Sequence, residues 1–354
     1  MHSASKKAVS LAVLFILILA VLLFRYSDTG EPQKNRAALP TVGILIYRQD
    51  DTFISLVTEA IKRTLEGRVN VELFYAKSDQ VIQNEQLDQL IAKKVDGIIL
   101  NIVSSSATSR TIHAVEKANI PIVFFNREPV LDTLKLYPKA RHVGTNVADA
   151  GTLQGDIIKS LWKKHPKYDR NKDGIFQYVM IQSGLDNPES FARTIHSVKS
   201  AKENGIAMQQ VGETLFCKWD EETAYGDMQL LYPLVADSVE LILSNNDTMA
   251  LGAIRALNHF GYNIEGGDPA MFIPVIGVDA IDPAIMAIEK GVLSATVAQD
   301  DKAMGETVAT MLLNMLDSKD TLEGIPYPLD KTGIAVRIPY SRYAGPPPSE
   351  QKFQ

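Results

Sequence analysis

The chain has 354 residues, 45% of them hydrophobic and 22% charged, with a formal net charge of -6. That length suffices for two domains that each bury a core, and the mildly acidic balance lacks the basic excess a nucleic-acid backbone selects. Cys217 is the single cysteine, so no intramolecular disulfide, Cys-rich zinc site or C-x-x-C redox pair can form.

Residues Ala8 to Phe24 are an uncharged run of 17 residues with one hydroxyl, Ser10, flanked by Lys6, Lys7 and Arg25. As a helix the run would rise about 25 Å, the short end of spanning length. The residues around Leu22 to Tyr26 make a poor cleavage site, so the run reads as an uncleaved anchor, with a cleaved signal peptide as the alternative. A lipoprotein signal is excluded because no cysteine stands just past the run. The lysines before the run predict a cytoplasmic N-terminus and export of everything after residue 25. Residues 25–40 are polar and without periodicity, and read as a tether.

From Thr41 onward, short β-branched runs alternate with helical patterns, the signature of parallel sheets covered by helices. Strands are predicted at Val42–Tyr47, Val71–Tyr75, Gly97–Leu100, Ile122–Phe125 and His142–Gly144, with helices over 52–67, 80–94 and 106–118. A second series has the same rhythm: strands near Gln177–Ile181, Ala207–Val211, Leu241–Leu243, Val275–Val278 and Ser294–Ala298, with helices near 148–164, 190–203, 222–232, 247–260 and 282–290. The expected fold is α/β, two doubly wound parallel-sheet lobes.

Ligands of such sheets bind outside the carboxyl ends of the strands. There the chain places Asp50 and Asp51, then Asn101, then Asn245, Asn246 and Asp247, then Asp279 and finally Gln299. Asp50 and Asp247 read as helix caps. The rest are planar carboxylates and amides, whose paired acceptors or mixed donor and acceptor match neighbouring hydroxyls on a sugar. Phe53 and Trp219 are the aromatics placed to cover apolar C–H faces, with core packing the alternative for Phe53.

Asp169, Asn171, Asp173 and Gly174 spell D-x-N-x-D-G, the first half of an EF-hand calcium loop. Ile175 would add its carbonyl and Gln177 a side-chain oxygen. Position twelve is Met180, which excludes an EF-hand proper, so the site closes only with a carboxylate from elsewhere.

The segments VGILIYRQDDTF (42–53), VDGIILN (95–101), IPIVFFNREP (120–129), VGTN (143–146), YDRNKDGIFQYV (168–179), NPESFARTI (187–195), ILSNNDTMALGA (242–253) and VIGVDAID (275–282) resemble the galactose/glucose-binding branch of the type I periplasmic binding proteins. The resemblance spans about residues 41 to 342. It implies one pyranose held between two lobes joined by three crossovers, with an N-terminal lobe of 41–146 plus 300–335, a C-terminal lobe of 147–299 plus 336–342, and a tail of 343–354. It places Asp51, Asn101, Arg193, Asn246 and Asp279 at sugar-hydrogen-bonding positions and Phe53 and Trp219 at stacking positions. Three positions depart from the family pattern: Asn187 for a histidine, Glu189 for an aspartate and Gln299 for an asparagine. The resemblance also implies a structural calcium ion whose last ligand is Glu240.

The function that follows is non-catalytic binding of a galactose- or glucose-like monosaccharide for ABC-type uptake by a membrane permease. The alternative is an anchored sugar sensor that presents its closed form to a histidine kinase or chemoreceptor. The core is expected to be monomeric, with no nucleic-acid partner, since the segment before it is apolar rather than a basic helix-turn-helix. No G-x-S-x-G, H-E-x-x-H, P-loop or G-x-G-x-x-G is present. His113, His142, His196 and His259 are scattered and read as surface or helix-terminal residues.

Overall fold

The computed structural model describes residues 39–185 and 187–343; the apolar run 8–24, the tether before residue 39 and the tail from 344 lie outside the described residues. Among the described residues no helix is long and apolar enough to cross a membrane.

Five strands and four helices alternate first: β1 (Thr41–Ile46), α1 (Thr52–Leu65), β2 (Asn70–Tyr75), α2 (Gln80–Ala92), β3 (Gly97–Leu100), α3 (Thr108–Lys117), β4 (Ile122–Phe125), α4 (Leu131–Leu134) and β5 (Ala140–Gly144). The second series is α5 (Val147–Lys164), β6 (Ile175–Gln182), α6 (Pro188–Glu203), β7 (Ala207–Gln210), β8 (Leu215–Phe216), α7 (Glu221–Val235), β9 (Leu241–Ser244), α8 (Asp247–His259), β10 (Val275–Asp279), α9 (Asp282–Glu289) and β11 (Ala295–Gln299). α10 (Asp301–Leu316), β12 (Ala335–Arg337) and β13 (Tyr340–Tyr343) close the chain.

The first sheet runs β12-β5-β4-β3-β1-β2, all parallel; the second runs β13-β11-β10-β9-β6-β7, with β8 beside β6. β13 is antiparallel to β11, an exception to the parallel expectation. Apart from the last strand of each, the two orders are copies of one another, which explains the common rhythm of the two series in the sequence. The structure is therefore two α/β lobes.

Alternation along each strand sends neighbouring residues to opposite faces. In β1, Ile44 joins Ile99 and Val123 on one face while Leu45 joins Ile98 and Phe124 on the other. β3, β4 and β9 are buried at every residue, as strands covered by helices on both sides require. Each fully buried side chain of this size contributes about 1.5–3 kcal/mol.

The chain passes between the sheets three times: from β5 to α5, from β11 to α10, and from β12 to β13. The last passage follows Arg337, two residues beyond the 335/336 boundary expected from the sequence, because β12 pairs with β5 through Arg337. α10 was not foreseen; Met304, Val308 and Leu312 bury it against Val57 and Ile61 of α1. His142 is also corrected: it is fully buried on β5, and burial followed by the nearby Arg337 pushes its imidazole down to about 3, leaving it neutral.

Candidate functional site

Strand order reverses direction at β1/β3 in the first sheet and at β6/β9 in the second, so the crevices for ligands lie at the carboxyl ends of those strands. One inner cavity lies there, lined from the first lobe by Tyr47, Asp51, Phe53, Asn126 and Arg127. From the second lobe come Asn187, Glu189 and Arg193 of the β6–α6 segment, Trp219 after β8, Asn246 after β9, and Asp279 and Gln299 at the ends of β10 and β11. Nine of the ten sugar-site residues expected from the sequence line this one cavity. Asn101 does not: fully buried beside it, its amide donates to the Phe125 carbonyl (3.0 Å) and its Oδ1 has no partner.

Three of these residues hold helix N-termini at the cavity. Asp51 Oδ1 accepts from Ile54 N–H (3.0 Å), Asn187 Oδ1 from Ser190 N–H (2.8 Å) and Asn246 Oδ1 from Met249 N–H (3.0 Å). The caps are thus Asp51 and Asn246, not Asp50 and Asp247. Asp50 instead lies exposed beside Arg48 (3.1 Å). Asp247 is buried, taking the Thr296 hydroxyl (2.6 Å) and the Ile281 N–H (3.1 Å), so it anchors the loop after β10. That loop is strained: Asp279 has φ 117° and Ala280 has φ 57°. Gly277 is required beneath it, since a Cβ there would lie 2.0 Å from Asp247 Oδ1.

Arg193 organises the cavity. Its Nη1 donates to the Asn245 carbonyl (2.7 Å) and lies 3.6 Å from Asp279 Oδ1, while Nη2 donates to Gln299 Oε1 (3.0 Å) and Tyr340 Oη (3.0 Å). Its guanidinium carbon is 5.5 Å from the Trp219 ring centre. Close contact of α5 with α6 positions it, because a Cβ on Gly151 would come within 2.9 Å of the Arg193 carbonyl. Burial opposes its charge, but Tyr340, Asp279 and Glu189 together outweigh that and hold it protonated. Burial raises Asp279 well above the usual carboxylate range against the pull of Arg193, and burial raises Glu189 as well. Glu189 Oε2, Gln299 Nε2 and Arg193 Nε are buried without partners. Each such atom costs about 1–3 kcal/mol unless something bonds to it.

Phe53 satisfies both readings of an aromatic, since it belongs to the first lobe's core and lines the cavity. Trp219 is held with φ 63° on the opposite side. Tyr47, Asn126 and Arg127 were missed by sequence reasoning. The signal for Tyr47 was its place at the end of β1, where its hydroxyl donates to Asp51. Arg127 stacks on the Tyr47 ring at 3.8 Å.

Polar contacts join the lobes across the cleft, and Leu56 of α1 packs against the second lobe's core beside them. Glu128 N–H donates to Glu189 Oε1 (2.9 Å), and Arg48 donates to the carbonyls of Lys218 and Trp219 (3.1 Å each). The cavity beside these contacts is about 30 Å³, room for about two water molecules.

The calcium-loop residues also meet. Asp169, Asn171 and Asp173 wrap one turn, with Asp173 N–H donating to Asn171 Oδ1 (2.9 Å) and Gly174 N–H to Asp169 Oδ2 (3.1 Å). Ile175 N–H and the Gln177 amide both donate to Asp173 (2.8 and 2.7 Å). Glu240, entering β9, turns its carboxylate to the turn and accepts from Arg170 N–H (2.5 Å). Gln177 Oε1 is buried without a partner. The donor set is all oxygen, which suits a hard cation. Among the described residues, however, no three His, Cys, Asp or Glu side chains converge at metal-binding distances.

Two wound lobes meeting over a polar, aromatic-walled cleft define a ligand-clasping protein. Residues 42–320 match the family described as "Periplasmic binding protein domain". A relative from Haemophilus influenzae, the D-galactose/methyl-galactoside binding periplasmic protein MglB, is 33% identical over 88% of this chain and 91% of its own length. A putative rhizopine-binding protein from Rhizobium meliloti is 31% identical over 75% of this chain and 81% of its own. An ABC transporter solute binding protein from Bacillus halodurans, solved with bound myo-inositol, superposes with a TM-score of 0.69 at 22% identity, covering 88% of this chain and 96% of that one. The chain belongs to the periplasmic binding protein family, with the type I fold, and the family resemblance read from the sequence is borne out.

Proposed function

We propose that the protein binds a galactose- or glucose-like monosaccharide between its lobes and presents it to an ABC-type permease outside the cytoplasm, without catalysis. The observation that carries this is the cleft itself: Asp51, Asn187, Glu189, Arg193, Asn246, Asp279 and Gln299 surround one cavity flanked by Phe53 and Trp219. Unpaired buried donors and acceptors stand beside one another there, as a ring of hydroxyls that both give and take hydrogen bonds would need. Similarity to a galactose-binding protein and to a protein solved with myo-inositol supports a ring polyol. Because the inner cleft has room for about two waters, the lobes part to admit the sugar and close on it. The calcium proposed from Asp169, Asn171, Asp173, Ile175, Gln177 and Glu240 would stiffen the edge of the second lobe, far from the chemistry of recognition. The apolar run 8–24 supports a second reading, an anchored sensor of the same sugar, which membrane fractionation of the native protein tests.

Calorimetric titration with glucose, galactose, xylose, arabinose and myo-inositol tests the main reading. Saturable heat with at least one pyranose is expected, and no heat with any of them overturns it.

A further inference from the structure

We propose that the cognate ligand is a glycoside, whose first ring is held by the inner cleft and whose second sugar unit occupies a chamber beside it; this rests on the sugar-binding reading above. The chamber measures about 520 Å³, within the roughly 300–1,000 Å³ of small-molecule sites. It shares Tyr47, Arg127, Asn187, Glu189 and Trp219 with the inner cleft, so one ligand can extend from one space into the other along a continuous wall.

The chamber persists with the lobes in contact. The polar contacts of Arg48 with the Lys218 and Trp219 carbonyls and of Glu128 with Glu189, which join the lobes, are made by residues of its own wall. A monosaccharide held by the inner residues alone would leave it to solvent.

Its chemistry fits a second sugar ring. Phe216, exposed by 43%, and Trp219 offer faces for C–H surfaces. Ser104, Ser105 and Ser183 offer small hydroxyl-bearing walls. Glu189 is only 6% exposed, and its Oε2 is unpartnered where cleft and chamber share it, an acceptor for a hydroxyl of either ring. Arg127 has one Nη on the Val103 carbonyl (2.7 Å), leaving its other N–H groups as donors. An anionic substituent would face the Glu128 and Glu189 carboxylates, whereas the hydroxyls of a neutral glycoside can donate to them.

The test is calorimetry on the full chain with galactose and glucose, with lactose, melibiose, maltose and cellobiose, and with galactose 6-phosphate as the anionic probe. At least one disaccharide is expected to bind about tenfold tighter than its parent monosaccharide. Phe216→Ala and Ser105→Trp, which alter the chamber and leave the inner cleft intact, should erase that gain while monosaccharide affinity stays within about twofold. Disaccharides no tighter than monosaccharides, both variants changing the two ligand classes equally, or a gain confined to galactose 6-phosphate would each overturn the proposal and leave the monosaccharide reading standing. Silence with every sugar would overturn both.

Discussion

Arg193 joins the proposed recognition site to stability, because one buried cation holds Asp279, Gln299, Tyr340 and the Asn245 carbonyl in place. Removing one member of such a buried pair leaves the other charge uncompensated, at a cost of about 3–5 kcal/mol. Arg193→Met is therefore expected to abolish sugar heat in calorimetry and to lower the denaturant midpoint. Adding Asp279→Asn should recover part of the stability and none of the binding; full recovery of binding would show that the guanidinium does not touch the ligand. Asp247 makes a separate pH prediction. Burial raises its carboxyl to about 7 despite the Thr296 and Ile281 bonds, so the folded state holds its proton across a range where the unfolded chain has released it. Its contribution is full below the unfolded value of about 3.9 and is lost as pH rises through about 7. Asp247→Asn, which cannot ionise, should gain in Tm relative to the wild type between about pH 5 and about pH 8. A Tm difference that does not vary with pH would show that Asp247 titrates normally.

At the level of elements, ten strands and eight helices could be read from periodicity because apolar runs, turn residues and the expected crossover rhythm all agreed. α10 was hidden: its buried face is Met, Val and Leu spread among Gly305, Thr307 and Asn314, and its partner α1 lies some 250 positions earlier. Residues at strand ends were legible because a parallel sheet fixes where its ligands go, and Asn126 and Arg127, directly after β4, fall under the same rule although they were passed over. Arg193 needed a family likeness, because a charge inside a helix is ordinarily solvated. The loop proposed to take calcium shows the same division: D-x-N-x-D-G is local, but Glu240 reaches it only because β9 pairs with β6. If the loop takes calcium, a chelator should lower Tm, by up to about 2.7 kcal/mol of linkage at a hundred times Kd. Asp173→Ala should lower Tm in calcium and make the chelator without effect. An equal chelator shift in wild type and variant would place the ion elsewhere, and no shift in the wild type would rule out a stabilising ion.

For the whole molecule, lobe opening would have to bend the three passages between lobes and break the contacts across the cleft. Arg48 is the long-range member: it follows β1 in the first lobe and reaches two carbonyls of the second, at Lys218 and Trp219, both held at positive φ. Those two bonds span the cleft and hold the backbone that carries Trp219. Hydrogen bonds from a charged donor are worth about 1.5–3 kcal/mol each, enough to shift an opening equilibrium by an order of magnitude or more. Arg48→Ala should therefore enlarge the radius of gyration of the sugar-free protein in solution scattering. A saturating sugar should restore the compact value, since the ligand then supplies the bonds that hold the lobes together. Affinity should fall about tenfold, because part of the binding energy goes into closing a cleft that Arg48 otherwise helps to close. Scattering curves that coincide for the two sugar-free proteins would show that the hinge, rather than this contact, sets the closed position.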